Sequence, residues 1–194
     1  MEEAAVNSIL VRIIAGTYRS RKLIAPAGAK TRPTSDRLRE TLFNVVAPQV
    51  TNSVWIDLFA GSGAIGIEAL SRGARMVYFA EDDGKAAHVI RQNLRSLKIT
   101  EGFEVHEQEA VHALRLLDSS AVACDFCFLD PPYSHRGAYD QTLGFLSQSQ
   151  LIVPHGIVIA EHDKHSDLED RYGALARYRR LQQGDAVLSF YSLS

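Results

Sequence analysis

Residues 57–66 read Asp57-Leu58-Phe59-Ala60-Gly61-Ser62-Gly63-Ala64-Ile65-Gly66. An apolar run at 54–58 precedes the glycines and a helical periodicity over about 64–72 follows them. A glycine-rich turn between a strand and a helix brings backbone close to a ligand and leaves free N–H groups at the helix start. The same alternation of short apolar runs and helical patterns continues outward. It predicts strands at 76–80, 103–106, 125–129 and 156–161, and helices near 84–97, 110–117 and 138–148. Such βαβ order implies a mostly parallel sheet with helices on both faces. Two runs, 175–181 and 186–191, flank Gln183-Gly184-Asp185 and predict a closing antiparallel hairpin.

Upstream the pattern differs. Residues 10–24 alternate weakly around Gly16-Thr17 and predict a small hairpin. Thr34 or Ser35 is placed to cap a helix whose apolar stripe is Leu38, Leu42, Phe43, Val45 and Val46, with Asp36 in its first turn. The expected organisation is a basic extension over 1–33 and a larger domain over 34–194.

Composition narrows the class. The 194 residues are 46% apolar and 23% charged, as in an ordinary globular protein. No apolar run approaches the ~20 residues of a membrane span. The run Ile9-Leu10-Val11 is interrupted by Arg12, unlike a signal peptide, so a cytoplasmic protein is expected. The net charge of −2 hides an asymmetry: residues 1–50 hold eight Lys/Arg against four Asp/Glu. A basic arm on an acidic body suits a phosphate-binding element. Arg19, Arg21, Lys22, Arg32 and Arg37 are its RNA-contacting candidates, with Arg136 further on. Cys124 and Cys127 lie in or beside a strand, where positions three apart face opposite ways. Buried apolar roles are expected for them, and no metal site. Glu161-His162-Asp163-Lys164-His165 reads as a polar surface loop.

Carboxylates end four successive strands: Asp57, Glu81, Glu109 and Asp130. Acids are poor strand residues, and clustering them is costly without a ligand. Glu81 follows Asp57 by 24 residues, where a carboxylate holds the hydroxyls of a ribose. Asp57 would repel a pyrophosphate and attract an ammonium. The absence of a lysine after the glycines excludes a P-loop, while NAD and S-adenosylmethionine both remain compatible. In Asp130-Pro131-Pro132-Tyr133, the carboxylate and the Pro131 carbonyl are two acceptors with no proline donor to compete, beside an aromatic ring. A planar group carrying NH2, such as a nucleobase, fits that set.

Together, Asp130-Pro131-Pro132-Tyr133, the glycine turn, Arg12-Ile13-Ile14-Ala15-Gly16 and Arg32-Pro33-Thr34-Ser35-Asp36-Arg37-Leu38-Arg39-Glu40-Thr41-Leu42-Phe43-Asn44 resemble the RsmD family over about residues 12–192. The resemblance implies a Rossmann-like class I methyltransferase, with a seven-stranded sheet whose last strand is antiparallel. It implies S-adenosylmethionine as cofactor and transfer of its methyl group to a guanine N2 of 16S rRNA; the expected partner is small-subunit rRNA within an assembled or assembling 30S particle, and a monomer is expected. It places Asp57, Phe59, Gly61, Ser62 and Gly63 around the cofactor, Glu81 on its ribose, and Glu109 with Ala110 at its adenine. Asp130, Pro131 and Tyr133 would handle the base. Glu109 stands where the family usually has Asp. Rival readings are an adenine-N6 methyltransferase, an NAD-dependent oxidoreductase and a non-catalytic assembly factor.

Overall fold

The computed structural model describes residues 11–26, 34–132, 135, 137–166 and 168–194. Arg32, Tyr133 and Arg136 lie outside the described residues. A two-stranded antiparallel hairpin, β1 (Val11–Arg12) and β2 (Lys22–Leu23), comes first, followed by helix α1 (Asp36–Val50). Then follow β3 (Val54–Leu58), α2 (Ala64–Ser71), β4 (Met76–Ala80), α3 (Gly84–Ser96), β5 (Phe103–His106), α4 (Ala110–Ser119), β6 (Cys124–Leu129), α5 (Ala138–Leu146) and β7 (Ile152–Asp163). Three strands close the chain: β8 (Arg171–Tyr172), β9 (Leu175–Gln183) and β10 (Ala186–Leu193).

The sheet order is β5-β4-β3-β6-β7-β10-β9-β8. Strands β3 to β7 pair in parallel, and β10 inserts antiparallel to both β7 and β9. The antiparallel last strand is therefore present. The seven expected strands are joined by an eighth, the two-residue β8, whose shortness blunts the sheet edge. Its sequence is too brief to carry a period.

The sheet is buried on both faces. One layer joins α1, α2, α3 and the hairpin through Leu42, Phe43, Ile67, Ile90 and Leu23; the other joins α4 and α5 through Leu114, Leu117, Leu143 and Leu146. Ser35, not Thr34, caps α1, accepting from the Leu38 N–H at 3.2 Å. The hairpin docks on α2 because Gly16 adopts φ +82°, and a Cβ there would lie 1.8 Å from the Ser71 carbonyl oxygen. Only glycine permits that approach.

Two sequence expectations change. A register shift between Cys124 and Phe126 turns Cys124 into the same apolar layer as Cys127, so the cysteines do not face opposite ways. Both are buried and free, as expected for small apolar residues. The polar loop expected at 161–165 is instead partly strand: β7 runs to Asp163 and buries Glu161 and His162. Burial of His162 is met by bonds to Ser189 Oγ and the Asp163 carbonyl, both 2.9 Å. Among the described residues no cluster of three metal-ligating side chains occurs, and no helix is long and apolar enough to cross a membrane.

Candidate active site

The glycine turn is built from inside. Asp57 is fully buried and accepts from the Gly66 N–H at 2.9 Å, tying the end of β3 to the first turn of α2. Gly66 must be glycine, because a Cβ would meet the Phe79 ring at 2.3 Å. Phe59 takes φ 57°, a conformation costly for a residue with a Cβ, and Gly61 and Gly63 also lie at positive φ. The turn is also held by its own backbone: the Ala60 N–H donates to the Ala80 carbonyl at 3.1 Å and the Gly63 N–H to the Ala60 carbonyl at 2.7 Å.

Glu81 closes the turn from the next strand. Its Oε2 accepts from the Gly61 N–H at 2.7 Å and its Oε1 from the Asp83 N–H at 3.0 Å. A carboxylate has capacity for about four hydrogen bonds, so Glu81 retains acceptor capacity for a ligand's hydroxyls. Asn93, buried on α3 and not singled out from the sequence, donates to the Ser62 and Ile24 carbonyls and accepts from the Ile24 N–H. It joins the glycine turn to the chain leaving the hairpin. An Asn within an amphipathic helix gives no sequence signal of that.

Parallel registry brings the other acids alongside. Leu58 pairs with Leu129 and Leu129 with Ala160, so Phe59, Asp130 and Glu161 follow next on the three neighbouring segments of chain. Burial raises the Asp130 carboxyl well above the usual carboxylate range, and the charges of Glu161 and then Asp57 raise it further. Burial pushes Asp57 up to about 8; the Gly66 N–H opposes this and Glu81 adds to it. Glu81 is also raised, chiefly by burial. Glu161 is pushed up to about 7 by burial, against the Thr34 hydrogen bond and the Arg39 charge. Four acids, at or near the carboxyl ends of β3, β4 and β6 and close to the end of β7, thus sense one another in the order Glu81, Asp57, Asp130, Glu161. Glu161 is the member that sequence reasoning missed.

A cavity of about 430 Å³ is lined by Phe59, Asp82, Glu109, Ala110, Val111, His135, Ala138, Gln141 and Thr142. Its size lies in the ordinary ligand range of about 300–1,000 Å³. Of the residues expected at the cofactor or the base, Phe59, Glu109 and Ala110 line this cavity; Asp57, Gly61, Ser62, Gly63, Glu81, Asp130 and Pro131 are not among its lining residues. Glu109 is exposed at the N-cap of α4 without a capping bond from its side chain. The His135 ring meets Phe59 edge-on at 6.5 Å, so the segment after β6 reaches the glycine turn. The donor set fits adenosine carrying an amino-acid group: acids for hydroxyl and amino groups, a ring for stacking, and no Lys or Arg among the lining residues to hold a pyrophosphate.

The family described as conserved hypothetical protein 95 matches residues 11–192. A Haemophilus influenzae protein named ribosomal RNA small subunit methyltransferase D is 39% identical over 81% of this chain and 81% of its own length. The chain belongs to the RsmD family. Bacillus subtilis YlbH, a putative rRNA methyltransferase, is 35% identical over 93% of this chain and 98% of its own length. Among solved structures, a putative methyltransferase of Escherichia coli, yhhF, superposes with a TM-score of 0.80 at 31% identity, covering 95% of this chain and 98% of that one. The RsmD-family core thus spans both the hairpin and the sheet.

The basic arm is divided by burial. Arg19, Arg21, Lys22 and Arg37 are exposed. Arg39, on the same helix, is wholly buried: its Nη2 donates to the Arg12 carbonyl at 2.7 Å and to Asp36 Oδ1 at 2.6 Å. Arg12 also pairs with Asp36 at 2.6 Å, so β1 and the start of α1 share one ion-paired joint.

Proposed function

We propose that this protein methylates the exocyclic N2 of a guanine in small-subunit ribosomal RNA, with S-adenosylmethionine as the methyl donor. One observation carries the reading. The ends of β3 and β6 pair in register at Leu58 and Leu129, and Phe59 and His135, from the segments that follow these two strands, line one cavity. When bound, the cofactor supplies a methyl group on a positively charged sulfur.

The chain's own residues supply position and charge. Glu81 and the turn 59–63 hold the ribose and amino-acid end, while Glu109 and Ala110 meet the adenine. Asp130 and the Pro131 carbonyl accept the two N2 hydrogens, turning the nitrogen lone pair out of conjugation and toward the methyl group. Tyr133 stacks on a base drawn out of its helix. A positive charge entering among the acids favours their ionised forms. Asp130, ionised and next to the reacting nitrogen, then receives the proton that nitrogen loses. Exposed Arg19, Arg21, Lys22 and Arg37 grip phosphates and set placement, together with Arg32 and Arg136.

The test is incubation with methyl-labelled S-adenosylmethionine and small-subunit particles lacking the modification, followed by nucleoside analysis and mapping. Label in N2-methylguanosine at one site is expected. Label in N6-methyladenosine, or none, overturns the reading.

A further inference from the structure

We propose that Glu161 is the residue that selects guanine, by accepting the N1 hydrogen of the base whose N2 amino group Asp130 and Pro131 hold. The inference rests on the guanine reading above and gives it a source of discrimination. Guanine presents adjacent donors, N1–H and N2–H2, whereas adenine presents an amino group beside an N1 lone pair. Recognising guanine on this edge takes an acceptor for each.

The fold provides two such acceptors. Strands β6 and β7 are parallel with Leu129 opposite Ala160, so Asp130 and Glu161 are the next pair, about one strand spacing (~4.8 Å) apart. Leu129 and Ala160 pack into the α4/α5 layer, and alternation turns Asp130 and Glu161 to the opposite face. That face also carries Asp57, bonded to the start of α2.

Glu161 is held in place but not saturated. Thr34 Oγ1 donates to its Oε2 at 2.6 Å; Oε1 takes no hydrogen bond among the described residues. The Tyr139 hydroxyl donates to the Glu161 carbonyl oxygen at 2.6 Å, fixing the strand end. Arg39 contributes charge: it is fully buried, and its Nε and Nη1 find no acceptor among the described residues. Its field favours the Glu161 anion. Arg39 and Thr34 are thus positioning residues for Glu161. An anionic acceptor facing N1 binds a base with hydrogen there and is left unpaired against a bare lone pair. Unpaired buried groups reject analogues strongly, by up to ~10⁴-fold in sites built this way.

The test compares particles carrying guanine or 2-aminopurine at the mapped nucleotide. Both bases have the C2 amino group, but N1 of 2-aminopurine bears no hydrogen. Wild-type protein should prefer guanine by about 100-fold or more in kcat/KM. Glu161→Gln, whose amide can donate to a bare N1, should lose rate on guanine and shrink the preference at least about tenfold. Its affinity for S-adenosylhomocysteine and its thermal unfolding should match wild type. Glu161→Asp, which withdraws the carboxylate, should also lose preference. If a folded variant keeps the wild-type preference, or wild type shows none, the assignment is wrong. Failure of the parent reading is distinct: wild type would then label no guanine in the mapping experiment.

Discussion

Glu68 and Glu161 are both buried glutamates, held in opposite ways in two regions of the molecule. Glu68 lies under the hairpin, where the Ile14 N–H donates to one oxygen at 2.7 Å, and the Ala15 N–H and Arg72 Nε to the other at 3.0 and 2.7 Å. Arg72 in turn lies 4.7 Å over the Phe43 ring. That carboxylate takes three hydrogen bonds from its own chain and fastens the basic hairpin to α2. Glu161 receives one hydroxyl, and Asp130 beside it takes no hydrogen bond among the described residues. A carboxylate filled by its own chain marks a joint, whereas one with free acceptor capacity is what the proposed base site needs. Burial of an acid alone does not separate the two.

The contrast is open to direct attack. Asp130→Ala removes an acceptor from the crevice, and kcat should fall by about 1,000-fold with RNA affinity within about twofold, read by single-turnover methylation and filter binding. A variant keeping a tenth of the activity (a loss of about 1.4 kcal/mol) would remove Asp130 from the chemistry. Glu68→Ala should do the reverse. It strands two backbone donors and Arg72, and should lower unfolding free energy by about 3 kcal/mol in urea, with smaller loss of activity per folded molecule. A cost under about 1 kcal/mol would show that the hairpin does not depend on this clip.

A third test concerns pH. Asp57 titrates near 3.8 when unconstrained and at about 8 in the fold, so between these values the native state holds a proton that the unfolded chain has released. Stability therefore falls as pH rises through that window, by at most about 1.4 kcal/mol per pH unit for this one group. Asp57→Asn should flatten the decline between pH 5 and 8; identical slopes in urea titrations would contradict the assignment. The smallest effect is expected at the exposed arm. Lys22→Ala should weaken RNA binding a few-fold and reduce the salt slope by about one, with unchanged kcat.

Much of this architecture was written locally. Every long strand of the sheet was legible from period-two or continuous apolar runs, and the α2 to α5 spans from helical periodicity, because each such element buries a face that its own residues declare. Asp57, Glu81 and Asp130 were legible because an acid at the end of an apolar strand contradicts local propensity. Glu161 was not, since its neighbours His162, Asp163, Lys164 and His165 make it look like part of a solvated loop. Arg39 was hidden for the same reason, among Arg37, Glu40 and other charges on α1.

By itself, then, the sequence determined the alternating order, the glycine turn, and the acids at strand ends, since these depend on residues close in the chain. Tertiary structure alone decided that Thr34 reaches Glu161 across 127 positions, that Asn93 joins Ile24 to Ser62, and that Arg39 is buried. Those contacts arise from parallel registry and helix docking, in which partners distant in sequence become neighbours only once the sheet has formed.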